Sequence, residues 1–533
     1  MEPLELSAGL LTLNDLRAVA RDRRAVAVAP GVIDKLHVAR GAVMRAAASG
    51  QSVYGLTSAL GANTGKKLAG PAGDDTALVD YQLNAIRARS VGIGATFPGD
   101  AVRAMLFTRI AGMRMGGSGI SPSVFESLVA MLNAGVHPVV PKIGSIAVGD
   151  LAPLSALALP LIGEGHAEYG GNVLPGGDAM RAAGLTLPAI GPKDGLSLIS
   201  SNAATIGVAA LCLIDVAAAL DALDHSAALA CEGFRANLSP LDPRMQQARP
   251  APGQVEAAQR LTSLLEGSAL WRPGAARRVQ DPLSFRCLAQ VHGAARAVWN
   301  EACSQIELEL NSAADSPLVL DNGQLLSNGN FHVPALAIAL EALGLALAQC
   351  ASLCVERSMK LLSPVMSELP LHLTRHGPTH SGFATVQKTK TALYNKIRHL
   401  ANPACLDFLP VSERIEDHAT MAMHVVEKTA AMIELLVALA AIDALLGAQA
   451  VDLREPCPRD SMGQGATRLY EALRAKVPML DVDRPPGPDI ETAMDVLRDI
   501  CRSRASGNPV TSDDPATSGE RRWVPASAGT TLT

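Results

Sequence analysis

AATIGVAALCLIDVAAALDAL, residues 203–223, is the stretch on which the fold turns. It is apolar on nearly every side of a helix and is built from alanine more than from leucine or isoleucine. Two other stretches have the same character: VPALAIALEALGLALAQCASLCV (333–355) and AAMIELLVALAAIDALLGAQAVDL (430–453). Each is long enough to span a bilayer, yet each carries acids inside the run: Asp215, Glu341, and Glu434 with Asp443. An acid in mid-membrane is costly, and alanine offers lipid little apolar surface. A helix that is apolar nearly all round and made of small residues suits the middle of a large helical bundle. No membrane is expected.

The rest of the composition agrees. Of 533 residues, 48% are hydrophobic and only 3% aromatic, with a mean hydropathy of +0.20, so a large core is available and helix is favoured over sheet. The expected class is all-α, mainly helical. A net charge of −5 with no run of Lys or Arg leaves no electrostatic footprint for nucleic acid. The nine cysteines are scattered without zinc-type spacing, which reads as reduced core thiols in a cytoplasmic protein with no metal site. The first residues, MEPLELSAGLLTLNDLRAVARDRR, lack the apolar run of a secretory signal.

Working outward, residues 10–50 show two helical periods ended by Gly50, and 53–75 is a Gly/Ser/Thr/Asn-rich loop without period that opens at Tyr54. Long loops in compact domains are usually functional. Helices return over 76–135, where Ser121 or Ser123 can cap and Glu126 can close a capping box on Ser123. Residues 137–195 are rich in Pro and Gly and should hold the few short strands. The expected organisation is an N-terminal α-rich domain (1–204), a central long-helix bundle (205–455), C-terminal helices (456–502) and a disordered Ser/Thr/Pro/Gly-rich tail (503–533).

The segment PKIGSIAVGDLAPLSALALPLIGEGHAEYGG (141–171), followed by AGLTLPAIGPKDGLSLISSNA (183–203), carries the strongest signal. In the same order come YGLTSALG (54–61), QDPLSFRCLAQVHGA (280–294), ELNSAADSPLV (309–319), SNGNFHVPA (327–335) and ERIEDHATM (413–421). On these motifs the chain resembles the aromatic amino acid ammonia-lyase family of histidine, phenylalanine and tyrosine ammonia-lyases, nearest the histidine branch. The resemblance implies a central bundle of long parallel and antiparallel helices. It also implies a homotetramer whose active sites combine residues from three subunits.

The family eliminates ammonia from an amino acid, which is difficult because the β-hydrogen is weakly acidic and the amine leaves poorly. Its electrophile, 4-methylideneimidazole-5-one, forms when an Ala-Ser-Gly tripeptide cyclises and the serine loses its hydroxyl. Here the tripeptide is Ala147-Val148-Gly149, in a segment one residue shorter than the family pattern. Valine has nothing on Cβ to eliminate, so Val148 should prevent the group from forming and no cofactor is expected.

Other positions match the family. Tyr54 corresponds to the tyrosine that removes the β-proton, a task for which a phenol needs an environment favouring the phenolate. Arg286 matches the arginine that grips the substrate carboxylate. Gln280, Phe331 and Glu416 match pocket positions, Glu416 facing the far end of the substrate as in the histidine branch. Several positions depart: the asparagine of the family falls on Ser200, its second tyrosine on Leu283, its specificity histidine on Arg89, the glycine and phenylalanine of its tyrosine loop on Ala59 and Leu60, and the glutamine before Glu416 on Ile415. Arg89 with Arg286 hints at an anionic ligand.

These residues leave three readings open. One is a histidine or aromatic amino acid ammonia-lyase-like enzyme with an altered pocket. Another is an inactive ligand-binding or regulatory homologue, mixed into tetramers with an active paralogue. The third is a different elimination or isomerisation, which would need a substrate with a better leaving group or a more acidic hydrogen.

Overall fold

The computed structural model describes residues 1–68 and 76–505, so the expected disordered tail and the end of the Tyr54 loop lie outside the described residues. The fold is mainly helical. The N-terminal part carries α1 (Leu13–Ala20), α2 (Pro30–Ala48), α3 (Thr76–Arg89), α4 (Gly99–Met113), α5 (Pro122–Ala134), α6 (Leu151–Ala158), α7 (Gly176–Ala182) and α8 (Asp194–Ile199). Then come α9 (Ala203–Phe234), the short α10 (Pro243–Ala248), α11 (Pro252–Leu264), the single turn α12 (Leu283–Arg286), and α13 (Leu288–Leu310). The chain continues through α14 (Pro334–Leu361), α15 (Pro364–Ser367), α16 (Val386–Leu400), α17 (Ala422–Leu453), α18 (Gln464–Lys476) and α19 (Gly487–Ala505).

The strands are short. The region 137–195 holds a three-stranded antiparallel sheet of His137–Pro138, His166–Tyr169 and Asn172–Pro175. Pairs of strands also occur outside it, at Leu4–Leu6 with Val26–Val28 and at Leu318–Val319 with Leu325–Leu326. The capping box expected on Ser123 does not form. α5 starts two residues earlier than that cap would set, at Pro122 with Ser121 at the N-cap, and the Ser121 hydroxyl is drawn to the buried Asp194 carboxylate at 2.6 Å.

The alanine-rich stretches become α9, α14 and α17, and these three run parallel. Cys212 meets the Val426 carbonyl near the starts of α9 and α17, and Gly233 meets Gly447 and Ala450 near their ends. Likewise Lys428 of α17 pairs with Glu341 of α14 near their starts, and Arg357 pairs with Asp443 at 2.6 Å towards their ends. Small residues let the backbones approach: a Cβ added at Gly233 would stand 2.7 Å from the Gly447 carbonyl oxygen. α13 runs antiparallel, its Trp299 indole donating to the Leu213 carbonyl at 2.7 Å and His292 contacting Asp224 at 2.7 Å.

The acids inside the apolar runs are satisfied within the chain. Asp443, fully buried, accepts from Arg357 Nε at 2.9 Å and Ser358 Oγ at 2.6 Å, with Lys390 3.8 Å away. Glu341 pairs with Lys428, Asp215 with Arg21 at 2.7 Å, and Glu434 with Arg498. All three helices have the length and apolarity of membrane spans, but most of their apolar windows are covered by other helices of the chain. Their parallel course brings three helix N-termini to one end of the bundle.

Candidate functional site

At that end the chain turns between Ile143 and α6. Ala147 (φ 56°), Gly149 (φ 79°) and Asp150 (φ 43°) are left-handed, a conformation costing about 1–2 kcal/mol for each residue that has a Cβ. Hydrogen bonds fix it. Buried Asp150 accepts from Ser145 Oγ at 2.6 Å, from Thr205 N–H at 2.6 Å and from Thr205 Oγ1 at 2.8 Å. Ser145 Oγ in turn accepts from Ala147 N–H at 2.9 Å, so the one hydroxyl of the turn is committed to holding its shape. Gly149 donates its N–H to Asn202 Oδ1 at 3.0 Å, and its carbonyl accepts from Ser201 N–H at 3.1 Å. Thr420 Oγ1 reaches the Ala147 carbonyl at 3.4 Å. Burial pushes the Asp150 carboxyl up, against these donors, which favour its ionised form.

Val148 sits half-buried at the crest of this turn. Around it α6 starts at Leu151, α9 at Ala203 and α17 at Ala422, and the Ser200 hydroxyl lies 3.6 Å from where a Gly149 Cβ would be. Helix N-termini present unpaired N–H groups and partial positive charge, so the place favours an anion or developing negative charge.

The Tyr54 loop packs on the same end. Tyr54 is half-buried and its hydroxyl accepts from Gly61 N–H at 3.1 Å. Gln82 of α3 fastens the loop to α8, donating to the Gly55 carbonyl at 2.9 Å and accepting from Leu196 N–H at 2.9 Å. Arg89, at the last turn of α3, folds back so that its guanidinium bonds the Ala85 carbonyl at 3.3 Å. The stretch Gly61–Asn63 touches Ser412–Arg414, and Glu416 follows, half-buried, accepting from Ser412 Oγ at 3.0 Å. Ser412, Glu413, Arg414 and Met421 are also left-handed, so strained backbone concentrates at this end. Phe331 joins through its neighbour: His332 Nε2 and His418 Nδ1 are 2.8 Å apart, two residues beyond Glu416. Burial and the adjacent His418 hold His332 below the ordinary histidine range.

The remaining candidates lie elsewhere. Phe285 stacks on Phe234, the last residue of α9, with ring centroids 4.0 Å apart. Arg286 follows it, and Gln280 and Leu283 belong to the same segment. Because α9 has 32 residues, these three are separated from Val148 by about 48 Å of helix at 1.5 Å per residue. Leu283 is 57% exposed, and among the described residues the Arg286 guanidinium has no hydrogen-bond or ion-pair partner. One chain therefore assembles Tyr54, Arg89, Val148, Ser200, Phe331 and Glu416, and presents Gln280, Leu283 and Arg286 at its other end.

Four further residues at this end lie outside the expected site positions. Asn202 supports Gly149. Ser145 and Thr205 hold Asp150. Tyr81 of α3 accepts from Leu60 N–H at 2.7 Å beside the Tyr54 contact. Ser145 and Asn202 stand inside the family segments but not at positions expected to be functional; Tyr81 invites notice as one of five tyrosines in the chain.

Comparison with known proteins shows the family. The family model for aromatic amino acid lyase matches residues 11–475. A histidine ammonia-lyase from Gloeobacter violaceus is 37% identical over 500 residues, covering 93% of this chain and 96% of its own. The structure of ergothionase from Treponema denticola, an ergothioneine-degrading enzyme in complex with desmethyl-ergothioneine sulfonic acid, superposes with TM-score 0.90 at 31% identity, covering 95% of this chain and all of its own. Histidine ammonia-lyase from Trypanosoma cruzi gives TM-score 0.83 at 28% identity, covering 94% of each chain. The chain belongs to the aromatic amino acid lyase family, on its histidine ammonia-lyase side.

Proposed function

We propose that this protein is a carbon–nitrogen lyase that works without the family's backbone-derived electrophile, on a histidine-type betaine whose amine is already quaternary. The observation that carries the reading is Val148 at the crest of a turn whose scaffold is intact. The turn does not fit 4-methylideneimidazole-5-one: valine has no Cβ heteroatom to lose, and Ser145 is engaged by Asp150 and Ala147. Activation must then come from the substrate. A quaternary nitrogen keeps its positive charge at every pH and leaves as a neutral tertiary amine, and ergothioneine, the trimethylammonium betaine of a thiolated histidine, is such a compound.

Tyr54 takes the β-proton, the C–H electron pair becomes the Cα=Cβ bond, and the Cα–N bond breaks with its pair on the departing amine. The products are an α,β-unsaturated acid and trimethylamine. Glu416 accepts from a ring N–H at the far end of the substrate, and Phe331 and Ser200 line the space between. We assign Arg89 to an anionic ring substituent, the thiolate of a thioimidazole being one. The carboxylate falls to Arg286 of another copy, with Gln280 and Leu283 beside it, since the two halves lie about 48 Å apart along α9. That separation supports a homo-oligomer, and the family resemblance makes it a tetramer. Tyr54→Phe and Arg286→Ala copies produced together should regain turnover that neither has alone. We place the enzyme in the cytoplasm, acting on a small molecule.

The test is to offer purified protein ergothioneine and histidine in turn, following the ultraviolet band of the unsaturated acid and the amine released. Trimethylamine from the betaine, no ammonia from histidine, and an intact mass equal to the unmodified chain are expected. Ammonia from histidine together with a mass lower by two waters would overturn the reading. Binding of the betaine without turnover would favour the inactive ligand-binding homologue.

A further inference from the structure

The residues that hold Tyr54 are not those that carry the reaction, and one of them is a second phenol. Tyr54 and Tyr81 bond consecutive amides of one stretch: Tyr81 accepts from Leu60 N–H at 2.7 Å and Tyr54 from Gly61 N–H at 3.1 Å. Leu60 is buried and extended (φ −95°, ψ 157°), while Gly61 is left-handed (φ 62°), so the intervening peptide has a defined orientation. Further back, Gln82, adjacent to Tyr81 on α3, ties Gly55 to Leu196. Gly55 is itself left-handed (φ 67°), and a Cβ there would meet Leu196 Cδ2 at 2.4 Å, so the loop base has no slack.

We propose that Tyr81 is the positioning residue for Tyr54: its hydroxyl fixes the Leu60–Gly61 peptide, and that peptide fixes the oxygen of Tyr54. The proposal rests on reading Tyr54 as the base. Without the Tyr81 hydroxyl, Leu60 N–H is left without its partner in a buried place, and the peptide must rotate to find another. Rotation carries Gly61 N–H off the Tyr54 oxygen. Burial holds the Tyr81 hydroxyl above the ordinary phenol range, against Leu60 N–H and the nearby Arg89, which favour the phenolate. Tyr81 is therefore a protonated anchor.

The experiment compares full-length wild type, Tyr81→Phe and Tyr54→Phe. Phenylalanine keeps the ring of Tyr81, so the melting temperature should stay within about 2 °C, the shift expected for a small local loss in a large chain. Residue-resolved amide exchange over 55–68 should accelerate about tenfold at both Leu60 and Gly61 in Tyr81→Phe, but at Gly61 alone in Tyr54→Phe. On ergothioneine, Tyr81→Phe should lower kcat about 10–100-fold with KM within about twofold, because misalignment of a reacting group costs rate more than binding. Wild-type exchange at Gly61 in Tyr81→Phe would overturn the proposal whether or not a substrate turns over, and so would an unchanged kcat. Failure of the underlying reading has a separate signature, a Tyr54→Phe variant that still turns over.

Discussion

Asp150 gathers three hydrogen bonds inside the turn before α6, and Asn202, Ser201 and Thr420 tie the same turn to α9 and α17. The loop from Val53 to Leu68 lies at the same end of the bundle; Tyr81 and Gln82 of α3 hydrogen-bond it from outside, Tyr54 closes it from within, and Val53 and Leu56 anchor it by burial. The turn is over-determined and has no reactive side chain; the loop carries Tyr54, which we propose as the base. A turn that had served only to build an electrophile would have no reason to keep its frame once Val148 occupied the crest. Its bonds join α6, α9 and α17, so the frame persists as the joint of three helix N-termini, and the joint still presents their positive ends to a ligand.

The largest expected effect separates the two regions by chemistry. Tyr54→Phe should lower kcat on ergothioneine about 10³-fold, within the range for loss of a general base, with the melting temperature unchanged. Val148→Ser, by contrast, should bring no histidine deamination, because the segment is one residue short of the family pattern and Ser200 and Leu283 also differ. Urocanate formed from histidine by Val148→Ser would show the turn to be a dormant electrophile and reverse the contrast.

The second prediction separates the regions by stability. Asp150→Ala removes the acceptor of three donors in a buried place and should cost about 2–4 kcal/mol, read from the urea midpoint. Tyr81→Phe, beside the loop, should cost under about 1 kcal/mol. If the two cost the same, the turn is not the stiffer region.

Much of this was legible in the chain. Alanine-rich runs containing Asp215, Glu341 and Asp443 read as bundle helices because composition and period are local properties; Glu341 and Asp443 pair with cations inside the bundle, and Asp215 with Arg21 at the end of α1. The family motifs named Tyr54, Val148, Arg286 and Glu416 because each sits in a fixed spacing. Three things were not legible. Tyr81 and Asn202 act through contacts to backbone amides of remote segments, which leave no pattern. The parting of Arg89 from Arg286 follows from the length and direction of α9 and from Phe285 stacking on Phe234, a tertiary fact. Ser121, one of the two expected caps, is the N-cap residue of α5, but its hydroxyl goes to Asp194, seventy-three residues away in sequence, and does not cap the helix.

The smallest effect concerns what lies behind the stiff turn. Asn202, whose Oδ1 holds Gly149, lines a small cavity with Thr108, Arg109, Ser201, Ser312 and Glu309. Arg109 is already engaged by Asp315 at 2.5 Å and by the Ser197 carbonyl, and burial pushes the Glu309 carboxyl up to about 7. A carboxyl raised in the folded state holds its proton there after the unfolded chain has lost it. Folding therefore weakens as pH rises from about 4.5, and the full cost is present above about 7. Glu309→Gln removes that dependence. The variant should match wild type at pH 4 and gain about 1–2 kcal/mol at pH 8, a figure reduced for partial exposure to solvent. Urea midpoints of both proteins at the two pH values measure it. A gain equal at both pH values would mean that the amide simply packs better, and that no carboxylate is being charged beneath Asn202.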